Sequence, residues 1–437
     1  MIDPTTPDSG RAVVGPPVRS PLHGRLQVPG DKSISHRALL LAARAAGRSE
    51  LVGLSTGLDV AATTAAMAAY GAKLEHRGPS TVVVTGGPAL LGEPASVIDV
   101  GNSGTAIRLL AGWSAGLPAL SILAGDDSVA KRPMERVVEP LRAMGAAIDG
   151  RLGGRYAPLV VRGGHLHGID YHVPVPSAQV KGAILLAALS AEGATTVHEA
   201  TPTRTHTEEM LAAAGADITV VNGAVTVRPS SLHPVDVIVP GDPSQAAFWV
   251  VAASIVAGSD LVVDHVYVGP GRAGFLAVLE RMGADITVEA SDDAERTADL
   301  RVRGAELVAT EVGGAEVAAL IDEIPVLAVA AAFARGTTVF ADAAELRLKE
   351  TDRIAAMTSE LRAVGIDVTD RPDGLVVTGS DGEPIAGGTV HSHGDHRVAM
   401  ALAVAALRSS QSVTIEGWDA VATSYPGFEE DLHRCTS

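Results

Sequence analysis

Six apolar segments of helical length recur along this chain, and each follows a short polar stretch and ends in a turn before a β-branched run. Self-similarity of this kind is typical of folds built from repeated units, in which neighbouring units bury one another's apolar faces. The pattern therefore predicts six repeated units. The segments span residues 31–53, 101–124, 176–200, 241–265, 321–343 and 393–417, and their closing turns lie at Gly47, Gly116, Gly193, Gly258, Gly336 and Ser409.

A second motif recurs between the apolar segments: an amphipathic helix, a Gly-Ala pair or a close variant, an alternating strand, a turn and another strand. Glycine at this position ends a helix in the left-handed conformation. A helix that is apolar all round must be buried, whereas an amphipathic helix can cover it. Each unit is thus predicted to be a mixed β/α unit with its apolar helix inside. The glycines are Gly71, Gly145, Gly215, Gly283 and Gly365.

Chain length and two identical tetrapeptides indicate how the units are grouped. At 437 residues the chain is too long for one ordinary core, and six units divide most naturally into two domains of three. Val-Pro-Gly-Asp occurs at 28–31 and again at 239–242, which indicates two chain crossings between domains. A double crossing makes a hinge with a cleft between the lobes. The expected domains are 30–240 and 19–29 plus 241–437, with hinges near 29–31 and 240–242.

The beginning of the chain lacks the apolar run of a signal peptide, since five prolines lie among the first two dozen residues. Residues 1–18 are therefore expected to form a disordered N-terminal tail. The longest apolar stretches are about half the length needed to cross a bilayer. The single cysteine, Cys435, can form no internal disulfide, which favours a reducing compartment. These features predict a cytoplasmic protein with no membrane partner.

Composition argues against nucleic acid as a partner. The formal net charge is -17 and only 3% of residues are aromatic, whereas nucleic acid requires a basic surface and stacking side chains. The charged and hydroxyl residues gather instead at the starts of the apolar helices. Each start carries unpaired N–H groups and about half a positive charge from the helix dipole, so it can bind an anion. The pattern predicts a small anionic ligand, drawn by a locally positive cleft in an acidic molecule.

Two basic clusters lie at or near such starts. Lys32-Ser33, with Arg37 one turn later, places two cations and a hydroxyl together, as the binding of a phosphate or carboxylate requires. Lys131-Arg132 follows a predicted strand and precedes a predicted helix. Both clusters have an alternative interpretation: a capped helix with solvated basic residues for the first, and a solvated turn for the second.

Two further groups combine cations with acid or base groups. Lys349 and Arg353 stand four residues apart, which predicts one shared helical face, with Glu350 available as an acid or base. The alternative there is a surface ion-pair ladder. The tripeptide at 395–397, Asp-His-Arg, leads directly into an apolar run. A buried helix seldom begins with three ionisable groups unless they face a partner or a cleft.

Three other signals are interpreted as carrying no chemistry. Residues 269–274 match GxGxxG, but the same helix and strand recur in other units without glycines, which argues against a dinucleotide site. The histidine-rich stretch 391–396 lacks the spacing of a helical His pair, and no cysteine joins it, so no metal is expected. Cys435 is a poor candidate nucleophile near the end of the chain. No cofactor is expected.

Seven motifs in this order closely resemble the 5-enolpyruvylshikimate-3-phosphate (EPSP) synthase family of enolpyruvyl transferases. They are PGDKSISHR, GNSGTAIRLL, KRPM, SAQVK, the Ile321-Asp322-Glu323 start, LKETDR and DHR. The resemblance covers nearly the whole chain after about residue 20. It implies an α/β fold of two inverse α/β barrel domains, each with three repeats of a mixed β/α unit and buried parallel helices. It also implies that the two domains close over shikimate 3-phosphate and phosphoenolpyruvate.

The resemblance implies transfer of the enolpyruvyl group of phosphoenolpyruvate to the 5-hydroxyl of shikimate 3-phosphate, with release of phosphate, in the biosynthesis of chorismate and the aromatic amino acids. The two substrates bring roughly five negative charges together, so Lys and Arg must come from both lobes. The hydroxyl adds to the enol carbon as C3 is protonated, which gives a tetrahedral intermediate, and phosphate leaves as C3 loses a proton. Acid and base groups must therefore reach both carbons. A monomer is expected.

The family's site residues carry over to matching positions of this chain. Asp322 is implied as the base near the 5-hydroxyl, Glu350 and Lys32 are implied in proton transfer, and His396 beside the site. The implied shikimate 3-phosphate contacts are Lys32, Ser33, Arg37, Ser177, Gln179, Asp322 and Lys349, with Ala178 contributing at most its backbone and Thr203 standing where serine is usual. The implied phosphoenolpyruvate contacts are Lys32, Gly104, Arg132, Gln179, Arg353 and Arg397.

Two positions bear on the pocket for phosphoenolpyruvate. Some family members carry a lysine near the C-terminus where this chain has Thr423, so one cation is missing. A bound monovalent cation or another side chain would have to compensate for it. Gly104 keeps the small residue of glyphosate-sensitive relatives, which implies that glyphosate inhibits this protein.

Two rival functions stay open at this point. The sister enolpyruvyl transferase that acts on UDP-N-acetylglucosamine typically has Lys-Asn in place of Lys32-Ser33, and a Cys or Asp on the loop before its Arg-Pro pair. Asp126 and Asp127 keep that alternative open, whereas LKETDR and SAQVK favour phosphoshikimate. The other rival is a non-catalytic anion-binding protein on the same scaffold, which the retained acid and base groups disfavour.

Overall fold

The computed structural model describes residues 10–14, 20–292 and 296–436. Contacts divide the chain into two compact units, which we call the middle unit (Gly30–Val239) and the terminal unit (Met1–Pro29 with Pro240–Ser437). Both divisions fall within the repeated Val-Pro-Gly-Asp segments, and Pro240 lies on the terminal side, one residue from the expected boundary. Two strands precede the middle unit: β1 (Arg11–Val14) and β2 (His23–Gln27).

The middle unit contains the first three apolar helices that the repeat predicts, each followed by a helix with one buried face. The apolar helices are α1 (Lys32–Arg44), α3 (Gly104–Ala115) and α6 (Ala178–Ala188). The one-face helices are α2 (Leu58–Ala69), α4 (Glu135–Ala143) and α7 (His206–Ala213). Two short turns complete the helical elements described here, a 3-10 turn at Val129–Lys131 and the single turn α5 (Arg151–Gly154).

The described strands of the middle unit form three four-stranded sheets and one short parallel pair. The first sheet has the order β16-β3-β5-β4, with β3 (Gly47–Val52), β4 (Lys73–His76), β5 (Val82–Gly86) and β16 (Val237–Ile238). The second is β6-β7-β9-β8, with β6 (Ile98–Asp99), β7 (Leu120–Ala124), β8 (Ala147–Gly150) and β9 (Tyr156–Arg162). The third is β11-β13-β15-β14, with β11 (Asp170–Val173), β13 (Thr195–Glu199), β14 (Ile218–Val221) and β15 (Ala224–Val227). The short pair joins β10 (Leu166–His167) and β12 (Ala191–Glu192).

The terminal unit repeats this alternation of helices. Its apolar helices are α8 (Pro243–Ile255), α10 (Ile324–Phe333) and α12 (His396–Ala406), and its other helices are α9 (Gly274–Arg281), α11 (Arg353–Ala363) and α13 (Phe428–Thr436). The 3-10 segments are Gly314–Ala319, Ile321–Glu323, Ala344–Leu348 and Trp418–Thr423.

The described strands of the terminal unit form two four-stranded sheets and one three-stranded sheet. The first is β18-β19-β17-β2, with β17 (Asp260–Tyr267), β18 (Asp285–Asp292) and β19 (Thr297–Arg303). The second is β20-β21-β23-β22, with β20 (Glu311–Val312), β21 (Thr337–Phe340), β22 (Asp367–Arg371) and β23 (Gly374–Thr378). The third is β1-β25-β24, with β24 (Gly388–His391) and β25 (Val413–Glu416).

One pairing rule holds in all six sheets. In each sheet a strand that follows an apolar helix pairs in parallel with an edge strand and antiparallel with a third strand; β17, for example, is parallel to β2 and antiparallel to β19. After α6 this strand is β13, because the short strand β12 comes first and pairs with β10. The repeat detected in the sequence is therefore a repeat of sheet topology as well as of helices. The fold is mixed α/β, with parallel and antiparallel pairing in the same sheets.

The sixth sheet corrects the expectation of a disordered tail over residues 1–18. Strand β1 runs antiparallel to β25, with Arg11 opposite Glu416 and Ala12 opposite Ile415. Ala12 is 2% exposed, and the Arg11 guanidinium lies 2.8 Å from the Glu416 carboxylate. The N-terminal strand thus takes the place that a strand from the same repeat takes in the other sheets. Gly10 is also described, and its carbonyl accepts the N–H groups of Gly417 and Trp418, whereas residues 1–9 and 15–18 of the expected tail lie outside the described residues.

The five predicted helix-ending glycines all have the left-handed backbone that the second motif requires. Their φ angles are 109° at Gly71, 97° at Gly145, 80° at Gly215, 88° at Gly283 and 94° at Gly365. A different glycine permits close packing of two apolar helices. A Cβ at Gly112 of α3 would lie 2.1 Å from the carbonyl oxygen of Ala183 in α6, so a larger residue would force these helices apart.

The apolar helices form the interior of each unit, as their sequence predicts. Every residue of α8, α10 and α12 is buried, and these three helices pack against one another. In the middle unit α3 packs against both α1 and α6. Across the part of the chain that the structure describes, none of the helices combines the length and the apolarity needed to cross a membrane.

Candidate active site

The starts of the three apolar helices in the middle unit are fixed by side-chain caps. Asp31 Oδ1 accepts the N–H of Ile34 at 2.8 Å, Ser103 Oγ that of Ala106 at 3.1 Å, and Ser177 Oγ that of Val180 at 3.3 Å. A cap of this kind stabilises a helix by about 1 kcal/mol. Its second effect is to fix the side chains of the first helical turn, which are the ones that the motifs select.

Lys32 and His36 lie on the first turns of α1. The Lys32 ammonium is 2.8 Å from the Asp59 carboxylate of α2, and the lysine side chain is 15% exposed. Burial lowers the pKa of His36 well below its usual value, and the nearby positive charges of Lys32 and Arg37 lower it further. The imidazole is therefore neutral, and its Nδ1 lies 2.7 Å from the Thr63 hydroxyl. The cationic charge of this turn comes from the lysine and the arginine.

Arg37 joins the start of α1 to the start of α6. Its guanidinium donates to the Ser33 carbonyl at 2.9 Å, to the Ala178 carbonyl at 3.3 Å and to the Thr207 hydroxyl at 2.7 Å. The arginine is 3% exposed, so these bonds fix its plane in a buried setting. Arg204 donates to the hydroxyl of Ser33 at 3.3 Å, which adds a second guanidinium at this helix start.

Arg108 and Gln179 join the start of α3 to the start of α6. Arg108 donates to Gln179 Oε1 at 2.7 Å, and Gln179 Nε2 donates to the Thr105 hydroxyl at 2.9 Å. The carboxamide is held from both ends, so its orientation is fixed. The three helix starts are consequently linked to one another through Arg37, Arg108 and Gln179.

Arg132 approaches the same place from the turn that precedes α4. Its guanidinium donates to Asn102 Oδ1 at 3.0 Å and to the Ser128 hydroxyl at 2.9 Å. A Cβ at Gly104 would lie 2.4 Å from Arg132 Nη1 and 3.2 Å from Arg108 Nη1. The bare glycine therefore lets two guanidinium groups approach the first turn of α3.

Thr203 is held by a buried acidic group and not by a cation. Its hydroxyl donates to Glu199 Oε1 at 2.5 Å, and Glu199 Oε2 lies 2.6 Å from the Lys181 ammonium. Lys181 also pairs with Glu208 at 2.7 Å. Because a hydroxyl has one proton to donate, that of Thr203 is directed at Glu199 in this arrangement.

We call eight residues at or near the three helix starts of the middle unit the cationic cluster. Five of them are cations and one, Asp59, is a carboxylate, so the cluster is suited to bind the phosphate and carboxylate groups of a small ligand. Of the predicted site residues of this unit, Gly104, Ser177 and Ala178 border the cluster, and Thr203 precedes Arg204. The members are Lys32, Ser33, Arg37, Asp59, Arg108, Arg132, Gln179 and Arg204.

In the terminal unit, Asp322 lies between two cations. Its Oδ1 is 3.0 Å from Lys349 Nζ and 3.2 Å from Arg353 Nη1. Its side chain is 16% exposed, so the carboxylate is accessible to a small molecule although it is paired. A carboxylate held in this way can accept a proton from a bound hydroxyl while the cations hold its charge in place.

Arg353 is the centre of this second group. It donates to both oxygens of Asp395, at 2.7 and 3.3 Å, and to Glu350 at 2.6 Å. Burial alone would lower its pKa, but the charges of Asp395, Glu350 and Asp322 outweigh that effect and raise the pKa above its ordinary value. The guanidinium is therefore a permanent cation, 1% exposed.

Arg397 and His396 lie on the first turn of α12, where Asp395 caps the helix by accepting the N–H of Arg397 at 2.8 Å. The Arg397 guanidinium donates to the Asp322 carbonyl at 2.9 Å and to Glu323 Oε1 at 3.4 Å. His396 is 3% exposed. We call this group the acidic cluster, because it combines three cations with four carboxylates: Lys349, Arg353 and Arg397 with Asp322, Glu323, Glu350 and Asp395.

The structure corrects the prediction that Lys349 and Arg353 share one helical face. Asp352 caps α11 by accepting the N–H of Ala355 at 3.0 Å, so the helix begins at Arg353. Lys349 follows the 3-10 segment and has an extended backbone, with φ −83° and ψ −153°. The two cations meet at Asp322 across a loop and a helix start, and not along one helix.

Thr423, which stands where some family members have lysine, donates its hydroxyl to the Ala420 carbonyl at 2.8 Å. The hydroxyl thus completes a local turn in the 3-10 segment Trp418–Thr423. The histidine-rich stretch is likewise divided between separate partners. His391 pairs with Glu416 at 3.1 Å and His393 with Glu360 at 2.8 Å, and the centroids of the two rings are 6.2 Å apart.

Among the described residues, the group with ligand atoms close enough to hold a metal is Asp170, His172 and His198. These atoms lie within 4.8 Å of one another, on strands β11 and β13. The two imidazole rings are stacked, with centroids 4.3 Å apart. All three residues are at least partly exposed, and none of them belongs to either cluster.

Comparison with known proteins assigns the chain to a family. The sequence model of the family described as EPSP synthase (3-phosphoshikimate 1-carboxyvinyltransferase) matches residues 17–432. The chain belongs to the EPSP synthase family. A 3-phosphoshikimate 1-carboxyvinyltransferase of Synechococcus sp. (strain JA-3-3Ab) is 51% identical to it, with 98% of each chain covered. The corresponding protein of Bacillus licheniformis is 46% identical, over 95% of this chain and 97% of that protein.

Solved structures agree with the EPSP synthase assignment. An EPSP synthase from Acinetobacter baumannii superposes with a TM-score of 0.86 at 41% identity, and 98% of each chain is covered. The enolpyruvyl transferase NikO from Streptomyces tendae has the same fold at 18% identity, with a TM-score of 0.75, 98% of this chain and 97% of that chain covered.

Three members of the cationic cluster were missed by reasoning from the EPSP synthase motifs. Arg108 lies inside GNSGTAIRLL, four residues after Gly104, and that spacing places both on one side of α3. Arg204 follows Thr203 directly. Asp59 lies in no motif, and nothing in the sequence shows that it meets Lys32, because the contact depends on how α2 packs against α1.

Proposed function

We propose that this protein transfers the enolpyruvyl group of phosphoenolpyruvate to the 5-hydroxyl of shikimate 3-phosphate and releases phosphate, a step in the biosynthesis of chorismate and the aromatic amino acids. The observation that carries the proposal is the placement of the Asp322 carboxylate, 3.0 Å from Lys349 and 3.2 Å from Arg353. It puts a base among cations, as a reaction between a hydroxyl and an anionic enol ester requires. Family membership and relatives of about half identity support the same reaction.

In this proposal, shikimate 3-phosphate binds through hydroxyl, amide and cationic groups. Arg37 is supported for this role by its fixed plane, and Gln179 by the carboxamide that is held from both ends. Thr203 is proposed as a contact from its place directly before Arg204, and its hydroxyl and its N–H both donate to Glu199 in this structure. The proposed contacts are Lys32, Ser33, Arg37, Ser177, Ala178, Gln179, Thr203, Asp322 and Lys349.

Phosphoenolpyruvate carries a phosphate and a carboxylate on a small carbon frame, so it requires several cations in a confined space. Guanidinium groups bind both anions through paired N–H donors. Arg132 beside the bare Gly104 provides such a group in the cationic cluster, and Arg353 and Arg397 provide two in the acidic cluster. The proposed contacts are Lys32, Gly104, Arg132, Gln179, Arg353 and Arg397.

The chemistry follows from the charges of these groups. Asp322 takes the proton of the 5-hydroxyl as the oxygen bonds to C2 of phosphoenolpyruvate, and Lys32 or Glu350 delivers a proton to C3. In the second step the C2–O bond to phosphate breaks and C3 returns its proton to Lys32 or Glu350. The hydroxyl proton held by Asp322 then passes to the departing phosphate or to solvent, so that protons and charge balance. His396 is proposed beside these groups. Each step needs a group within hydrogen-bond reach of its carbon, which contributes about 10²–10⁴-fold in rate.

The proposal includes the finer architecture that the resemblance implies, two inverse α/β barrel domains of the enolpyruvyl transferase type with parallel buried helices. The three sheets and three apolar helices of each unit support it. It also includes inhibition by glyphosate, supported by the glycine at residue 104, where a side chain would displace Arg132. Turnover unchanged by millimolar glyphosate would contradict that part.

We also propose that the protein is a monomer in the cytoplasm. Light scattering after size-exclusion chromatography measures the mass of the particle in solution and so tests the monomer.

The decisive experiment measures phosphate release from phosphoenolpyruvate with a second substrate added. We expect release with shikimate 3-phosphate and none with UDP-N-acetylglucosamine or with phosphoenolpyruvate alone. Release with the sugar nucleotide only would assign the protein to the sister reaction. Binding of the substrates without release would indicate an anion-binding protein.

A further inference from the structure

We infer that Arg272 and Ser244 are positioning residues for phosphoenolpyruvate binding, and that they act on Arg397 through Glu323. Arg272 belongs to the glycine-rich stretch 269–274, which matches GxGxxG but has no part in the reaction proposed above. The inference rests on the proposed function only for the ligand that Arg397 binds. All of these residues lie in the terminal unit.

Arg272 is a buried cation that fixes the start of α8. It is 2% exposed, and its Nη2 lies 2.6 Å from Asp242 Oδ1, the atom that caps α8 by accepting the N–H of Ser244 at 2.8 Å. Its Nη1 donates to the Ser244 hydroxyl at 3.1 Å. One guanidinium thus holds both the cap residue and the side chain of the second helical residue, which a lysine ammonium could not do with the same geometry.

The Ser244 hydroxyl connects Arg272 to Glu323 through two hydrogen bonds. Arginine can only donate, so the serine oxygen accepts from Arg272 and its single proton is left for Glu323 Oε1, to which it donates. Glu323 occupies the cap position of α10 without capping that helix with its side chain, and it is 1% exposed. Its carboxylate is therefore committed to Ser244 and Arg397.

Glu323 in turn constrains Arg397. The same Oε1 that accepts from Ser244 lies 3.4 Å from Arg397 Nη1, which also donates to the Asp322 carbonyl at 2.9 Å. Two acceptors on one guanidinium nitrogen fix the orientation of the guanidinium plane and therefore the direction of its other N–H donors. The series Arg272, Ser244, Glu323, Arg397 is continuous, buried and balanced by the charge of Asp242. It aims Arg397 without any of its first three members touching the ligand.

The test compares Ser244→Ala and Arg272→Lys with a matched control, Ser254→Ala. Ser254 is buried on the same helix, and its hydroxyl only donates to the Val250 carbonyl at 2.7 Å. We expect Ser244→Ala and Arg272→Lys to raise the KM for phosphoenolpyruvate about tenfold, the effect of weakening one charge-assisted bond. The KM for shikimate 3-phosphate is expected to change by less than twofold, and Ser254→Ala to change neither constant.

A general loss of folding would raise both KM values, or it would lower the melting temperature of the variants well below that of Ser254→Ala. If either result occurs and the KM for phosphoenolpyruvate does not rise more than the KM for shikimate 3-phosphate, the inference is overturned. A second measurement is independent of activity. In a crystal structure of Ser244→Ala, Arg397 is expected to have left Glu323, and an unmoved guanidinium would overturn the inference. If the unaltered protein itself releases no phosphate, the proposed function fails, and the crystal structure still decides the positioning role.

Discussion

The α-carbon of Gly104 lies against the guanidinium of Arg132, so closely that a Cβ there would stand 2.4 Å from Nη1. Real contacts of a Cβ are never that short, so any side chain at residue 104 must displace the arginine. Arg132 is 6% exposed and bonded to Asn102 and Ser128, which leaves it little room to move without losing a bond.

Gly104→Ala is therefore expected to raise the KM for phosphoenolpyruvate about tenfold, since a charge-assisted hydrogen bond is weakened. The KM for shikimate 3-phosphate should change much less. Steady-state phosphate release, with each substrate varied in turn, measures both constants. Gly92→Ala is the matched control, because a Cβ at that glycine of the same unit meets nothing within 4 Å. An unchanged KM for phosphoenolpyruvate would show that Arg132 does not bind it.

Removal of the arginine itself should have a larger effect. Arg132→Ala is expected to raise the KM for phosphoenolpyruvate roughly a hundredfold, because the whole ion pair with an anion is lost. Arg228→Ala removes an exposed arginine that pairs with Asp217 at 3.3 Å in the same unit, and it should leave both KM values unchanged. Equal effects of Arg132→Ala on the two substrates would contradict the assignment.

Asp322→Asn should separate chemistry from binding. The amide keeps the size of the side chain but cannot take the proton of the hydroxyl, so kcat is expected to fall by about 10²–10⁴-fold. Isothermal titration should still detect shikimate 3-phosphate, with affinity changed by less than tenfold. Asp367→Asn, on the exposed part of strand β22, provides the control. Loss of binding together with turnover would mean that Asp322 acts through Lys349 and Arg353 and not as the base.

His36 makes the stability of the middle unit depend on pH. Burial, with Lys32 and Arg37 nearby, lowers its pKa in the folded state far below 6.5, the value expected when the chain is unfolded. Below that pH the unfolded chain binds a proton that the folded chain does not, so acid favours unfolding by up to about 1.4 kcal/mol per pH unit. His36→Asn should therefore flatten the fall in urea midpoint between pH 7.5 and 5.5, whereas His76→Asn, an exposed change in the same unit, should not. The same slope in both variants would exclude His36 as the cause.

Deletion of residues 1–14 should destabilise the terminal unit by about 2 kcal/mol, because β25 loses its antiparallel ladder to β1 and Glu416 loses its ion pair with Arg11. Deletion of residues 1–9, which leaves β1 in place, is the comparison. The midpoint of urea unfolding measures the difference. If the two deletion variants unfold at the same urea concentration, strand β1 adds nothing to the stability of the sheet.

Much of the fold could be predicted because its signals are local. The caps Asp31, Ser103 and Ser177 lie within three residues of the N–H groups that they accept, so the sequence alone indicates where those helices begin. Strand β1 could not be predicted in the same way. Its partner β25 lies about 400 residues away, and β1 is a strand of only four residues, two of them β-branched, among several prolines.

The same distinction between local and long-range signals applies to the candidate site. Lys32, Arg132, Arg353 and Arg397 follow from short motifs, but which atoms they contact depends on packing. Nothing local indicates that Arg108 meets Gln179, 71 residues further along the chain. The expectation that Lys349 and Arg353 share one helical face was wrong because Asp352 lies between them. Aspartate is favoured at the N-cap and disfavoured inside a helix, so the helix begins after it.

The N-terminal strands give the chain an order of assembly during synthesis. Strand β2 has no partner until β17 has been made, and β1 has none until Val413–Glu416 emerges. The middle unit, by contrast, is complete in sequence once Val239 is added. The whole middle unit is therefore synthesised before β1 or β2 can pair, and the sheet β1-β25-β24 forms only when a strand that precedes the middle unit meets β25, which follows it.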